Sequence, residues 1–299
     1  MIHRYKNNGY NIVLDVNSGS VHVVDDIVYD IVGCLEEKMS EAAILEKFKN
    51  QYKEEDIRTA IEECRELEEA QMLFTNDIYE NAIESFKDRP TVVKALCLHI
   101  AHDCNLACRY CFAEEGEYHG RRALMTYEVG KQALDFLIAN SGNRKNLEVD
   151  FFGGEPLMNW NVVKELVAYG RSQEKIHNKH FRFTLTTNGV LLDDDIMEFA
   201  NEEMDNVVLS IDGRKEVHDF MRPFRKGKGS YDLVVPKFQK FADSRGQQKY
   251  YARGTFTHHN LDFSEDVLHL ADLGFEQISV EPVVADEKEE YAIKKEDIP

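Results

Sequence analysis

The chain has 299 residues, 43% of them hydrophobic and 10% aromatic, which allows about two globular domains and excludes a disordered chain. A formal charge of −19 argues against nucleic acid as a partner, because phosphates call for a basic surface. The N-terminus carries no signal-like apolar stretch and no run of about 18 apolar residues occurs, so neither export nor a membrane span is expected, and six cysteines without export fit a reducing cytoplasm.

Taken in chain order, residues 1–85 read as a small α+β unit. "YNIVLDVNSGSVHVVD" alternates on both sides of Asn17-Ser18-Gly19 and predicts a β-hairpin. Three helices are expected next, in "DDIVYDIVGCLEE", "SEAAILEKFKNQY" and "EEDIRTAIEECRELEEA", the last with an apolar row at Ile57, Ala60, Ile61, Cys64 and Leu67. "QMLFT" reads as a short closing strand. A hairpin, three helices and a strand suggest a winged-helix shape. With 8 Lys/Arg against 19 Asp/Glu in 1–85, a net of −11, duplex DNA is an improbable partner. A peptide added as a strand to an open sheet edge fits better; the plain alternative is that this unit only packs on the rest of the chain. Residues 86–93, with Asp88-Arg89-Pro90, read as the link.

From Lys94 to residue 299 the pattern is six strands alternating with helices. The strands are "KALCLHIA", "LEVDFFG", "FRFTLTTNG", "NVVLSIDG", "YYARGTFTHH" and "QISVEPVV", with helices such as "TYEVGKQALDFLIAN" and "NVVKELVAYGRSQEKI" between them. Six β-then-α repeats predict a parallel sheet curling into a partial barrel. The chemistry-bearing residues fall where strands end, as parallel α/β folds require. The cysteine run follows the first strand, Gly153-Gly154-Glu155-Pro156 the second, and Thr187-Asn188-Gly189 the third. Ser210-Ile211-Asp212-Gly213 ends the fourth, Arg253 lies in the fifth, and Glu281-Pro282 closes the sixth.

In "HDCNLACRYCFAEEG", Cys104, Cys108 and Cys111 crowd eight positions with no fourth cysteine nearby. Structural zinc wants four closed ligands, and a disulfide framework wants even numbers. Three thiolates suit an iron–sulfur cube open at one corner. A zinc or free-thiol site is the bland alternative. Cys34, Cys64 and Cys97 stand in apolar periodic contexts and are expected as buried small hydrophobes. The histidines, His258-His259 included, form no ligand spacing.

The C-x3-C-x-aromatic-C run after a strand, Cys104 to Cys111 with Tyr110 as the aromatic, together with GGEP at 153–156, resembles the radical S-adenosylmethionine (radical SAM) superfamily over roughly residues 92–285. The resemblance implies a partial (β/α)6 barrel, a [4Fe–4S] cluster on the three cysteines, and S-adenosylmethionine chelated at the fourth iron. It also implies cofactor contacts from Tyr110 beside the adenine, from the backbone of Gly153 and Gly154, and from Glu155, Asn188, Ser210, Asp212 and Arg253. Each has a simpler reading: Glu155 as a helix cap, Asn188, Ser210 and Asp212 as turn residues, and Arg253 as a salt bridge inside the barrel.

"SIDGRKEVHDFMRPFRKGKGSYD" resembles the peptide-modifying (SPASM-type) branch of that superfamily. With the acidic front unit it is most similar to maturases of the six-cysteine SCIFF peptides, which join a cysteine sulfur to carbon as a thioether. That implies a precursor peptide whose leader binds residues 1–85, an external electron donor such as flavodoxin or ferredoxin, and a carbon radical made by hydrogen abstraction. The branch carries auxiliary clusters in a C-terminal SPASM domain; no cysteine follows Cys111 and the chain ends at "KKEDIP", so the sequence reads as a fragment lacking that domain. The rival readings are an anaerobic sulfatase maturase or another peptide-modifying relative, and, from another class, a non-catalytic peptide-binding adaptor with a redox-sensing cluster.

Overall fold

The computed structural model describes residues 1–87 and 91–298; the expected link at Asp88-Arg89-Pro90 lies outside the described residues. The chain divides into two compact units, Met1–Pro90 and Thr91–Pro299.

The first unit is a three-stranded antiparallel sheet, β1 (Ile2–Asn7), β2 (Tyr10–Asp15) and β3 (Val21–Val24) in that spatial order. Helices α1 (Asp26–Glu36), α2 (Glu41–Phe48), α3 (Glu54–Glu69) and the short α4 (Ile83–Lys87) follow. β2 and β3 form the expected hairpin. β1 is an addition, because "IHRYKN" is largely exposed and shows no apolar alternation. Its signal was the turn: Asn8 and Gly9 sit at φ +48° and +80°, the left-handed pair that tight hairpins need. Asp25 and Ser40 cap α1 and α2 by accepting from the backbone N–H of Val28 and Ala43. Ile31, Ile44, Ile57 and Ile61 then close the core.

"QMLFT" is not a strand. Gln71 and Phe74 adopt φ of +59° and +53°, which breaks an extended run. The segment is fastened instead by the buried Asp15, whose carboxylate accepts from the Thr75 amide (2.9 Å) and hydroxyl (2.6 Å) and from the amides of Asn17 and Ser18 (both 3.0 Å). Burial alone would raise the pKa of Asp15, but these donors outweigh it and bring it down to about 2.

In the second unit the elements are β4 (Ala95–His102), β5 (Ala123–Leu124), α5 (Tyr127–Asn140), β6 (Asn146–Gly153), α6 (Trp160–His177), β7 (His180–Thr187), α7 (Asp194–Glu203), β8 (Met204–Ser210), α8 (Lys215–Met221), α9 (Tyr231–Ser244), β9 (Tyr250–Phe256), α10 (Phe263–Asp272) and β10 (Ile278–Pro282). β4, β6, β7, β8, β9 and β10 lie side by side in chain order and every adjacent pair is parallel. β5 adds a short antiparallel edge to β4. β10 and β4 end the row without meeting, so this α/β sheet is an open, partial barrel. The sixth repeat is a strand alone, since among the described residues no α-helix follows β10.

The strands alternate rather than running apolar throughout. Val149, Phe151, Phe181, Phe183, Leu185, Val207 and Leu209 are buried against the helices, with the Phe151, Phe181 and Phe183 rings stacked 5.6–5.7 Å apart. Their neighbours Asp150, Thr184, Thr186, Asn206 and Ser210 are only half-buried. A sheet covered by helices on one face alone keeps its concave face polar, and that face is the barrel lumen. Cys97, expected buried, is exposed on this concave side for the same reason, whereas Cys34 and Cys64 are buried. Among the described residues no helix is long and apolar enough to cross a membrane.

The Asp15 clasp gives a signed prediction. A folded pKa near 2 against an unfolded one near ~3.9 contributes about 2 kcal/mol, fully present above about pH 4 and lost as pH falls toward 2. Asp15→Asn should remove about that much from the first unit at pH 7 and much less at about pH 2.5, as read by urea unfolding. Equal losses at both pH values would show that the carboxylate charge is not what holds the segment.

Candidate functional site

The segment after β4 cannot continue the sheet, and it folds as a loop over the C-terminal end of the barrel. A cavity of about 420 Å³ opens there, and Cys104, Cys108 and Cys111 all line it. Cys104 is buried, the other two are half-buried, and all three are free thiols. The loop is held by the segment after α8. The amide of Ala107 donates to the Pro223 carbonyl (2.9 Å), that of Arg109 to Met221 (2.8 Å), and Leu106 bridges Phe224. Arg225 reaches across to Asp103 (2.8 Å) and to the carbonyl of Cys104. Burial pushes the Cys104 thiol up to about 12 and the Cys108 thiol up to about 11, so a metal has to displace protons to bind.

The two glycines at the end of β6 serve the approach of two backbones. A Cβ on Gly153, at φ +127°, would stand 2.5 Å from the Ala101 carbonyl, and one on Gly154 would stand 2.1 Å from that of Asp103. Only glycine lets this strand end lie against the start of the cysteine loop, and both residues still face the cavity.

Glu155 does not face it. The side chain is wholly buried, and its carboxylate accepts from the amides of Leu157 (3.0 Å) and Asn188 (2.8 Å) and from the Thr187 hydroxyl (2.8 Å). In this structure the residue expected to hold the cofactor is a clasp joining the ends of β6 and β7, which includes the capping role. Burial raises its pKa despite those three donors. Asp212 is likewise buried and does not line the cavity. Both its oxygens accept from the Tyr110 hydroxyl (2.8 Å), and one accepts from the Thr255 amide (3.2 Å). Arg222 donates to the same hydroxyl (2.6 Å) and lies 3.7 Å from Asp212. Burial pushes the Asp212 pKa up while Arg222 and Tyr110 pull it back. In this structure Asp212, expected as a cofactor contact, supports Tyr110, which lines the cavity wall.

Asn188 lines the cavity and donates to Asn105 (2.8 Å), with Cys104 Sγ at 3.6 Å. Ser210 lines it as well. Arg253 lines it but pairs with Glu281 on β10, so the salt-bridge reading describes this state. β10 supplies no wall residue of its own, and the rim is built from five strand ends, not six.

The donor set fits an open cluster. Among the described residues no three His, Cys, Asp or Glu side chains converge as one ion's ligands. A cube spreads its thiolates over separate irons, so they need not meet at a point. Arg222 fits too: its side chain is only 11% exposed, and its Nε is buried without a partner beside the cavity. No local sequence pattern singles out Arg222, whose partner Tyr110 lies far away in the chain. His218 from the same stretch is buried, with Nδ1 taking the Asp212 amide (3.4 Å) and Nε2 against Ser230 (3.0 Å). Burial brings its pKa down to about 3, so it stays neutral and braces the loop.

Two outcomes test these assignments. Anaerobic reconstitution should load about four irons per chain. Cys104→Ala, Cys108→Ala or Cys111→Ala should abolish uptake while Cys34→Ala and Cys64→Ala keep it; full loading of Cys108→Ala would overturn the assignment. Glu155→Ala strands three buried donors and should cost about 3 kcal/mol in denaturant unfolding of the iron-free chain. A loss under about 1 kcal/mol would mean that the clasp is dispensable.

Comparison with known proteins agrees with this geometry. The chain is 26% identical over 162 residues to the radical SAM cyclopropyl synthase TigE of Paramaledivibacter caminithermalis, which takes in 47% of this chain and 34% of that protein. It is 33% identical over 140 residues to a serine-type anaerobic sulfatase-maturating enzyme of Bacteroides thetaiotaomicron, covering 44% and 32%. Its fold is similar to that of native anSMEcpe solved with AdoMet and the Kp18Cys peptide, with a TM-score of 0.61 at 20% identity over 69% of this chain and 57% of that one. The matched regions take in under half the length of these curated relatives. The family model for the radical SAM superfamily matches residues 98–252, just over half of the chain. The chain therefore belongs to the radical SAM superfamily, enzymes that cleave S-adenosylmethionine reductively at a [4Fe–4S] cluster.

Proposed function

We propose that the chain is the radical-generating and substrate-recognising portion of a peptide maturase that forms cysteine thioethers in a ribosomally made, cysteine-rich precursor of the SCIFF type. The observation that carries this reading is the presence, in one chain, of the cysteine cavity and of an acidic unit with a groove beside a free strand edge. That groove, about 450 Å³, lies between β3 and α3 and is lined by Val21, Val23, Val28, Cys64 and Leu67 with Glu63 at its rim. Among the described residues β3 pairs only with β2, and Val21 and Val23 are 62% and 66% exposed. An extended leader can take the open N–H and C=O groups of β3 and set alternate apolar side chains into the groove. The net charge of −11 in residues 1–85 speaks against phosphate there.

When bound, the cluster and S-adenosylmethionine supply one-electron, hydrogen-abstracting chemistry, with the electron coming from a carrier such as flavodoxin or ferredoxin. Cys104, Cys108 and Cys111 would hold the cluster. The residues lining the cavity, Gly153, Gly154, Asn188, Ser210, Arg253 and Tyr110, would face the cofactor, while Glu155 and Asp212 fix those loops by their hydrogen bonds. Arg222 offsets thiolate charge next to Cys108. A peptide-bound neighbour supports a peptide substrate. The 33% identity to a sulfatase-maturating enzyme favours a second reading, a sulfatase maturase.

The reconstituted chain should release 5′-deoxyadenosine slowly with a strong reductant; none at all would favour the adaptor reading. Its first unit should confer binding of a precursor leader and not of duplex DNA, as titration calorimetry at physiological salt would show. No cysteine follows Cys111 in residues 1–299, and among the described residues Cys34, Cys64 and Cys97 form no second ligand cluster. We therefore expect mass spectrometry to find the precursor without the two-hydrogen loss of each cross-link. A cross-linked product from this chain alone would contradict that, and turnover of a sulfatase-derived peptide would favour the second reading.

A further inference from the structure

Below the cysteine cavity the lumen holds a second cavity of about 530 Å³, at the opposite end of the strands. Among the described residues Asp150 is the one that lines both. In register it stands in one inward layer, opposite Cys97 of β4 and Thr184 of β7, with Asn206 of β8 beyond. Two acceptors of this layer, Asp150 Oδ1 and Asn206 Oδ1, are buried without a hydrogen-bond partner. An unpaired carboxylate oxygen in a half-closed lumen is costly, and among the described residues no donor satisfies Asp150 Oδ1.

We propose that the lower cavity seats the segment of the substrate peptide to be modified, and that Asp150, with Asn206, holds it beneath the cofactor cavity by accepting backbone N–H groups. This rests on the peptide reading and goes beyond it by naming a seat and the residue that anchors it. A backbone amide fits because both free groups are acceptors and because the layer is flanked by strands whose own N–H groups are spent in the sheet. The groups facing Asp150 are Cys97 from β4, the Thr186 hydroxyl from β7 and Arg253 from β9. Glu148, one layer down its own strand, is paired with Lys94 and Arg182. Burial lifts Asp150 to about 6 against Thr186 and Arg253. The better acceptor is the carboxylate, so the hold on the peptide strengthens as pH rises through about 6.

The test compares two fluorescent peptides on the anaerobically reconstituted chain with S-adenosylmethionine: a six-cysteine SCIFF-type precursor with its leader, and that leader alone. In the wild type the precursor should bind more tightly than the leader, and the advantage should grow between about pH 5 and 7.5. Asp150→Ala should lose that advantage by roughly tenfold while leader affinity stays. Asp150→Asn, which keeps an acceptor oxygen, should retain part of it with no pH dependence. Wild-type iron content and melting in Asp150→Asn separate the effect from misfolding. Wild-type precursor affinity and pH dependence in both variants would overturn the proposal alone. No advantage of precursor over leader in the wild type would overturn the peptide reading, and the proposal with it.

Discussion

Glu155 lies wholly out of water, and a carboxylate in that position has to find every donor inside the protein. It finds them in the amide after its own strand, Leu157, and in Thr187 and Asn188 at the end of the next. The ends of parallel strands are where backbone groups run out of sheet partners. A single buried acceptor there ties two neighbouring loops into one rigid edge. Asn188, positioned by that bond, then turns its amide toward Asn105 and Cys104. The cysteine loop is thus referenced to the barrel through a group that never touches the cavity.

The second buried carboxylate, Asp212, repeats the device on the other side of the rim. Its donor is the hydroxyl of Tyr110, from within the cysteine run itself, and Arg222 closes the triad. Each member raises the cost of losing another, because a lone charge left in so dry a place is far more expensive than the pair. The clamp segment from Phe220 to Arg225 adds backbone bonds along the loop. The three thiols are therefore displayed by a pre-set frame, which is what an open cluster needs if a small molecule is to reach its free corner.

The polar lumen continues below this frame, from the cysteine cavity to a second one at the other end of the strands. Helices cover only the outer face of the sheet, so outward positions are Phe, Val and Leu while inward ones carry Asp150, Thr184, Thr186 and Asn206. The same alternation that leaves room for the cofactor at the top leaves acceptors free below it. In the first unit an equally simple feature, the free outer edge of β3 beside α3, offers a place for an extended chain. The cysteine cavity and the β3 edge belong to separate units of one polypeptide.

Local spacing determined much of this. Cys104, Cys108 and Cys111 with GGEP fixed the chemistry, because a three-thiolate loop after a strand is a pattern within about ten residues. The six parallel strands were legible too, since each is a short apolar run bounded by turn residues. The Asn8-Gly9 turn is the one local mark of β1, whose polar residues give no alternating pattern. What the sequence could not decide is which polar residues face the cavity and which lie beneath it. Glu155, Asp212, Ser210 and Arg253 look alike in a string, yet burial, pairing and register make two of them clasps and two wall residues, of which Arg253 also pairs with Glu281. "QMLFT" reads as a strand until Asp15 draws it into turns. Arg222 and Asp150 gain meaning only from partners on other strands, or from the lack of one. Distances between residues far apart in the chain are a tertiary property, and no local pattern encodes them.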